Sequence, residues 1–379
     1  MITANPHAPA WAEWRGRSRD AQYTIGVEEE AMLLDPDTWE LAHNSERVLD
    51  AMPDWAAEHT TCETHRSALE LATGVHEDVT SAVAELLELR LALDEAVRSL
   101  GVRAASAGTH PSAVWQDTLV SSGERYDFVY GSMRELARRE PTFALHVHVG
   151  LASPNDAIRL ANKMRAHLPL LLALSVNSPF WQGRDTGLAS ARTPLFQAFP
   201  RVGIPRRFRD YADYVDTVDL LMRCESMPDP TFLWWDVRPQ PRFGTVEVRI
   251  MDAQSTVGET ASLVALVQCI ARLEVERGYV TSRALEVPEA LDENRFLAAR
   301  DGMAAELIDV ELERRVPARD VALRLVEACA PHAEALGCHA QLDGIVAMTE
   351  RTGADRQLEI ARGPKKLPGL VERLADFYS

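Results

Sequence analysis

Apolar residues alternate with polar ones over three short stretches of the chain and recur at helical spacing over three long ones. Ile25-Gly26-Val27-Glu28-Glu29-Glu30-Ala31-Met32-Leu33-Leu34 runs into the turn signal Asp35-Pro36-Asp37 and predicts a strand. Leu145 to Gly150 and Thr245 to Asp252 alternate in the same way. Between Glu77 and Leu100 the apolar residues Val79, Val83, Leu86, Leu87, Leu93, Val97 and Leu100 fall along one broad stripe, and Gly101 follows as a stop. Ser153-Pro154 offers an N-cap serine and a proline at the first helical position, ahead of an apolar body that reaches Val176. Gly258 to Gly278 carries Leu263, Leu266, Val267 and Ile270 at helical spacing and ends on a glycine suited to a C-cap. It opens a predominantly helical portion, about 258–379. Residues 1–20 read as a flexible N-terminal arm. No repeat and no Pro/Gly/Ser linker divides 21–379, so the pattern predicts a single α+β domain with a helical C-terminal portion.

Successive side chains of a strand point to opposite faces. Glu28 and Glu30 therefore share one face of the first strand, and Val27, Ala31, Leu33 and Glu29 share the other. His146 and His148 share a face of the second. Glu247 and Arg249 share a face of the third, backed by Val246, Val248 and Ile250. A half-solvated antiparallel sheet, apolar inward and polar outward, accounts for any one of these strands. It does not account for three polar faces made of Glu, His and Arg, the residues that bind divalent metal and phosphate. Two carboxylates at alternate positions sit ~7 Å apart, so each can hold a different ion of a two- or three-metal cluster. Carboxylate oxygens with few imidazoles suit magnesium or manganese better than zinc. An arginine beside a metal-binding glutamate suits a phosphate that bridges to that metal. In Cys62 to Leu71, a helical reading puts Glu63 and Glu70 on one face, two turns apart. His65 and Arg66 are polar neighbours with no assigned role.

Composition narrows the class. The 379 residues are 46% apolar and 26% charged, as in folded globular proteins. Forty Lys and Arg against 57 Asp and Glu leave a formal charge of −17, which repels nucleic acid, and no long run of Lys or Arg offsets it. The carboxylate excess suits a protein that holds cations, although a solvated acidic surface produces the same number. The five cysteines are scattered and form no CxxC pair, which argues against a disulfide framework or a zinc knuckle and favours a reducing, cytoplasmic setting. The first residues show no apolar signal region. The longest apolar run, Leu168 to Val176, is too short for a bilayer, which needs roughly 20 residues. Neither a Walker loop nor a Gly-rich dinucleotide fingerprint occurs, so any nucleotide must be held by metal and side chains.

Six motifs occur in a telling order: Gly26-Val27-Glu28-Glu29-Glu30 with Asp35-Pro36, Gly108-Thr109-His110-Pro111, His146-Val147-His148-Val149-Gly150, Ser190-Ala191-Arg192, Trp235-Asp236-Val237-Arg238-Pro239, and Gly244 through Asp252. The chain thereby resembles the type 2 glutamate–cysteine ligases, also called carboxylate–amine ligases, whose fold is similar to the glutamine synthetase catalytic domain. The resemblance runs from about Tyr23 into the C-terminal helices. It implies an antiparallel β-sheet funnel backed by helices, with ATP and magnesium, or manganese, as cofactors. It further implies that Glu30, Glu63 and Glu70 hold one metal and that Glu28, His146 and Glu247 hold a second one touching the ATP phosphates. The Glu63 position is often Asp in the family. His148 would approach the nucleotide phosphates, Arg249 would stabilise the transferring phosphoryl group, and Arg192 is a candidate for a substrate carboxylate or the acyl phosphate.

The implied activity forms γ-glutamylcysteine from glutamate and cysteine, as in glutathione biosynthesis. A carboxylate does not condense with an amine at neutral pH because oxide is a poor leaving group; phosphorylation by ATP converts that oxygen into a good one. Three other readings share the same acidic face: the same chemistry on a different amine or acid, a metal-dependent hydrolase, and a non-catalytic metal- or nucleotide-binding protein that kept the fold. The expected partners are small-molecule substrates, with no nucleic acid and no membrane, and exposed sheet edges leave a homo-oligomer open. Packing is the expected role of Cys62, turn-shaping that of His110, and a core or rim position that of Trp181, Trp234 and Trp235; Lys365 and Lys366 read as an exposed loop.

Overall fold

Seven strands form one antiparallel sheet in the computed structural model, which describes residues 9–16, 18, 21–139, 141–363 and 366–378. The strands are β1 (Ile25–Leu34), β2 (Thr60–Cys62), β3 (Ala68–Ala72), β4 (Arg103–Ala105), β5 (Ala144–Gly150), β6 (Val237–Gln240) and β7 (Thr245–Asp252). Their order is β6-β7-β5-β1-β3-β2, with β4 paired to β1 beyond the end of β5. All three alternating stretches of the sequence are central strands.

One face of this sheet is apolar and covered. Val27, Leu33, Val147, Val149, Val246 and Val248 enter the main core together with α1 (Val79–Ser99), α2 (Pro154–Ser175) and α3 (Val257–Glu276). Each helix starts where a side chain satisfies a free backbone donor: Asp78 accepts from the Ser81 amide, Ser153 from Asp156 and Thr256 from Glu259. Two further helices, α4 (Ala318–Leu336) and α5 (His339–Glu350), pack on the outside of α3. The helical C-terminal portion is interrupted by one hairpin, Glu306–Asp309 with Arg314–Pro317.

Two local expectations are corrected. Glu63 and Glu70 do not sit on a helix: β2 and β3 form a hairpin, Glu63 lies in the turn after β2, and Glu70 lies on β3. The alternation of buried Ala68, Leu69 and Leu71 around Glu70 fits a pleated strand against β1. Lys366 does not lie in a loop but begins the last helix, Lys366–Tyr378, while Lys365 lies outside the described residues. Of the N-terminal segment, residues 1–8, 17, 19 and 20 lie outside the described residues. Within 9–16, Ala12 is buried, Trp11 meets the Tyr214 ring edge-on, and the Trp14 indole donates to the Leu151 carbonyl at 3.2 Å. Among the described residues no helix is long and apolar enough to cross a membrane.

Candidate active site

The register of the sheet gathers the polar faces. Glu28 stands opposite His146 and Glu30 opposite Glu70; His148 stands opposite Glu247, which also pairs with Arg238. Because each cross-strand pair points the same way, these side chains meet on the face away from the core. Between Val248 and Met251 the register slips, so Arg249 and Ile250 share one step of β5. This β-bulge swings Arg249 over His146, with Nη1 at 3.5 Å from Nδ1. The face is not a wet surface: His146 and Glu247 are 3% and 1% exposed.

Three groups of potential ligand atoms form, each group lying within 4.8 Å: Glu28, His148 and Glu247; Glu28, Glu70 and His146; and Glu30, Glu63 and Glu70. The set Glu30, Glu63 and Glu70 comes together as the resemblance implies. The other implied set divides. His146 lies 3.1 Å from Glu28 and 3.8 Å from Glu70, whereas His148 is the imidazole between Glu28 (3.2 Å) and Glu247 (3.9 Å).

Electrostatics separates the two ends of the cluster. Glu28 is held well below the ordinary carboxylate range because His148 and His146 outweigh the opposing effect of burial. Against the same effect, Arg238 and Arg249 pull Glu247 far down. Glu28 and Glu247 in turn raise His148, while burial and the Arg249 charge push His146 down to about 4 and leave its ring neutral, the form that ligates metal. At the other end, among the described residues, no Lys or Arg lies within 4.0 Å of Glu30, Glu63 or Glu70. Burial and the neighbouring Glu63 push Glu30 from 4.5 up to about 8; burial with Glu28, Glu63 and Glu30 raises Glu70 well above its ordinary value, and burial raises Glu63. Three half-buried carboxylates with no Lys or Arg in contact fit a hard divalent ion, which supplies the charge the protein places only at a distance.

That fit has a measurable sign. In the metal-free chain Glu30 is protonated when folded and ionised when unfolded between about 4.5 and about 8, so raising the pH across that window removes stability. Magnesium binds the ionised form. Its addition is expected to raise the melting temperature more at about pH 8 than at about pH 6. Equal shifts at both values would remove these carboxylates from the metal site.

The arginines have distinct tasks. Arg238 grips Glu247 through two bonds of 2.7 and 3.1 Å and donates to the Thr231 carbonyl at 2.9 Å. Arg249 also donates to Glu247, yet its buried Nε has no partner. Arg192 lines the cavity, but Nη1 donates to the Ile250 carbonyl at 2.9 Å and Nη2 to that of Arg249 at 3.2 Å, so much of its fork holds the bulge. Arg238 lies inside the Trp235–Pro239 motif, and its alternation with Gln240 is the sequence signal that puts both on the cavity side. Arg125 and Tyr126, also at the cavity, had none. His110 bonds the Trp39 carbonyl at 2.9 Å and accepts from the Ala113 amide at 2.9 Å. Its burial, like that of His65, pushes the ring down to about 4. The half-buried Cys62 thiol is raised by burial, which disfavours a nucleophile. Gly108 admits no side chain, since a Cβ would stand 2.6 Å from Asp252 and 2.8 Å from Ser178.

Glu28, Glu30, Glu63, Glu70 and His146, with Arg125, Arg192, Arg238 and Arg249, line a cavity of about 260 Å³. A second, of about 520 Å³, shares Glu28 and Phe243 with it, adds His148 and continues past Gly26, Gly74 and Val75.

A family model described as glutamate-cysteine ligase family 2 matches residues 24–374. A Rubrobacter xylanophilus protein provisionally named glutamate–cysteine ligase 2-1 is 42% identical over 339 residues, 89% of this chain and 90% of that one. A Sorangium cellulosum protein provisionally named glutamate–cysteine ligase 2 is 37% identical over 368 residues, 95% of this chain and 97% of its own. Among solved structures, the glutamate–cysteine ligase of Francisella tularensis in complex with AMP superposes with a TM-score of 0.69 at 13% identity, covering 94% of this chain and 89% of that one. At that identity the likeness is one of fold.

Proposed function

Because the chain belongs to glutamate-cysteine ligase family 2, an ATP-dependent group of carbon–nitrogen ligases, we propose that it activates the γ-carboxylate of glutamate and passes the acyl group to an amine. The relatives' names suggest γ-glutamylcysteine as product, with a cytoplasmic, glutathione-type thiol pathway as its setting; the same chemistry on a different amine uses the same metal and phosphate residues. The observation that carries this reading is Arg249. It is a half-buried guanidinium whose buried Nε has no partner, set beside the Glu28–His148–Glu247 group and near a second cluster of three carboxylates.

Glu30, Glu63 and Glu70 would hold one magnesium, or manganese, and Glu28 and Glu247 with a histidine another. The geometry favours His148 over His146 for that histidine. The ions would supply the positive charge that lets a carboxylate approach a triphosphate. A carboxylate oxygen of glutamate then attacks the γ-phosphorus and ADP leaves, while Arg249 steadies the charge on the equatorial oxygens. The amine nitrogen attacks the acyl carbon and gives up a proton to the departing phosphate, which leaves with the carbon–oxygen bond electrons. Nothing becomes bonded to the protein. The second cavity, rimmed by the exposed side chains of Val75 and Phe243, suits the nucleoside.

ADP formation is expected to require magnesium, glutamate and an amine together, as measured by coupled ADP release. Turnover of an amide or phosphate substrate without ATP would replace this reading with the hydrolase.

A further inference from the structure

The 260 Å³ cavity has two unlike walls. The sheet side supplies Glu28, Glu30, Glu70 and His146, with Glu63 from the turn after β2. The facing wall holds Val129, Met133 and Ala137 from residues 124–138, and Phe196, Phe199 and Trp234. Val129, Met133 and Ala137 recur at every fourth position and are 4%, 6% and 1% exposed, so this segment turns its apolar side to the cavity. Phe196 and Phe199 meet edge to face at 5.1 Å, and Phe199 lies 6.4 Å from Trp234.

Neither glutamate nor a triphosphate gains from such a wall. Both are charged, and contact with it would cost them hydration. Shielding an acyl phosphate from water needs apolar atoms too, but a water barrier needs no space behind it. Here there is space. Phe199 also lines a recess of about 210 Å³ whose other walls include Trp115, Leu136, Arg139, Trp181 and Leu195. The Arg139 guanidinium lies over the Trp115 ring at 5.6 Å, and the recess is larger than a thiol needs. At the cavity edge stands one exposed cation, Arg125, steadied 4.6 Å over the Phe232 ring and by a 3.0 Å bond to Thr231 Oγ1. It is placed for an α-carboxylate.

From this wall, and resting on the ligase reading above, we infer that the amine acceptor is an α-amino acid with a bulky apolar side chain, aliphatic or aromatic, seated against Met133 and Phe199. Glutamate occupies the sheet side, and the acceptor's side chain reaches toward the recess.

The test is ADP release with ATP, magnesium and glutamate held constant and the amine varied among cysteine, alanine, leucine and phenylalanine. Leucine or phenylalanine is expected to exceed alanine and cysteine about tenfold or more in kcat/KM, the discrimination an apolar pocket gives per added methylene or two. Phe199→Ala is expected to raise the KM for leucine about tenfold and to narrow the gap between leucine and alanine. Cysteine or alanine leading the series overturns the inference alone, as does a Phe199→Ala variant with unchanged preference. ADP release with no acid–amine pair overturns the ligase reading and this inference with it.

Discussion

Arg249→Lys is expected to lower the maximal rate of ADP formation about a thousandfold, with the KM for ATP within a few-fold of its starting value. The guanidinium is already positioned before any phosphate arrives. Its Nη1 is tied to Glu247 and lies 3.5 Å from His146 Nδ1, and its Nε is buried without a partner. Lysine keeps the charge but loses the planar fork, so it cannot hold Glu247 and reach an equatorial phosphoryl oxygen at once. That oxygen gains charge during transfer, so the loss falls on the transition state and on kcat. The variant should fold, because Arg238 keeps its bidentate hold on Glu247 at 2.7 and 3.1 Å and leaves no bare carboxylate. An unchanged melting temperature with a rate loss below about tenfold would remove Arg249 from phosphoryl transfer.

The strands that build this site were legible because a period of two fixes faces: Glu28, Glu30, His146, His148, Glu247 and Arg249 could each be placed on a polar face from sequence alone. Alternation says nothing about which strand lies beside which, nor in what register. The partition of the histidines followed from that gap. His148 meets Glu247 because they are cross-strand partners, and no spacing within either strand encodes the pairing. Glu63 and Glu70 misled for a different reason. A separation of seven fits two helical turns, and the hairpin that brings both inward is visible only once β3 has paired with β1. Arg192 illustrates a third limit. A buried arginine at a site suggests an anion, yet the β-bulge produces two unpaired carbonyls, and Arg192 satisfies both. Composition could not foresee them.

Glu29 is the one carboxylate of its strand that faces the core. Its expected behaviour differs accordingly: Arg90→Met should destabilise the fold by about 3–5 kcal/mol in denaturant unfolding. Glu29 and Arg90 have no exposed side-chain surface, and two bonds of 2.7 Å join them. Arg90 also donates to the Gln254 carbonyl at 2.8 Å and lies 4.8 Å over the Tyr378 ring, and Thr260 donates to Glu29 at 2.9 Å. One guanidinium thus ties β1, α1, the turn before α3 and the C-terminal helix together. Methionine fills the volume but leaves a buried charge without a cation, and that stranded charge, more than the lost attraction, is the source of the cost. One consequence separates this account from simple loss of packing. Adding Glu29→Leu should restore most of the stability, since two apolar groups of matching size leave no charge unpaired and take a partner only from the Gln254 and Ser255 carbonyls and the Thr260 hydroxyl. A double variant as unstable as Arg90→Met alone would show that the pair holds the elements by geometry rather than by charge. In that case activity should fall as well, because Glu29 lies between Glu28 and Glu30 on the strand that carries both proposed metal positions.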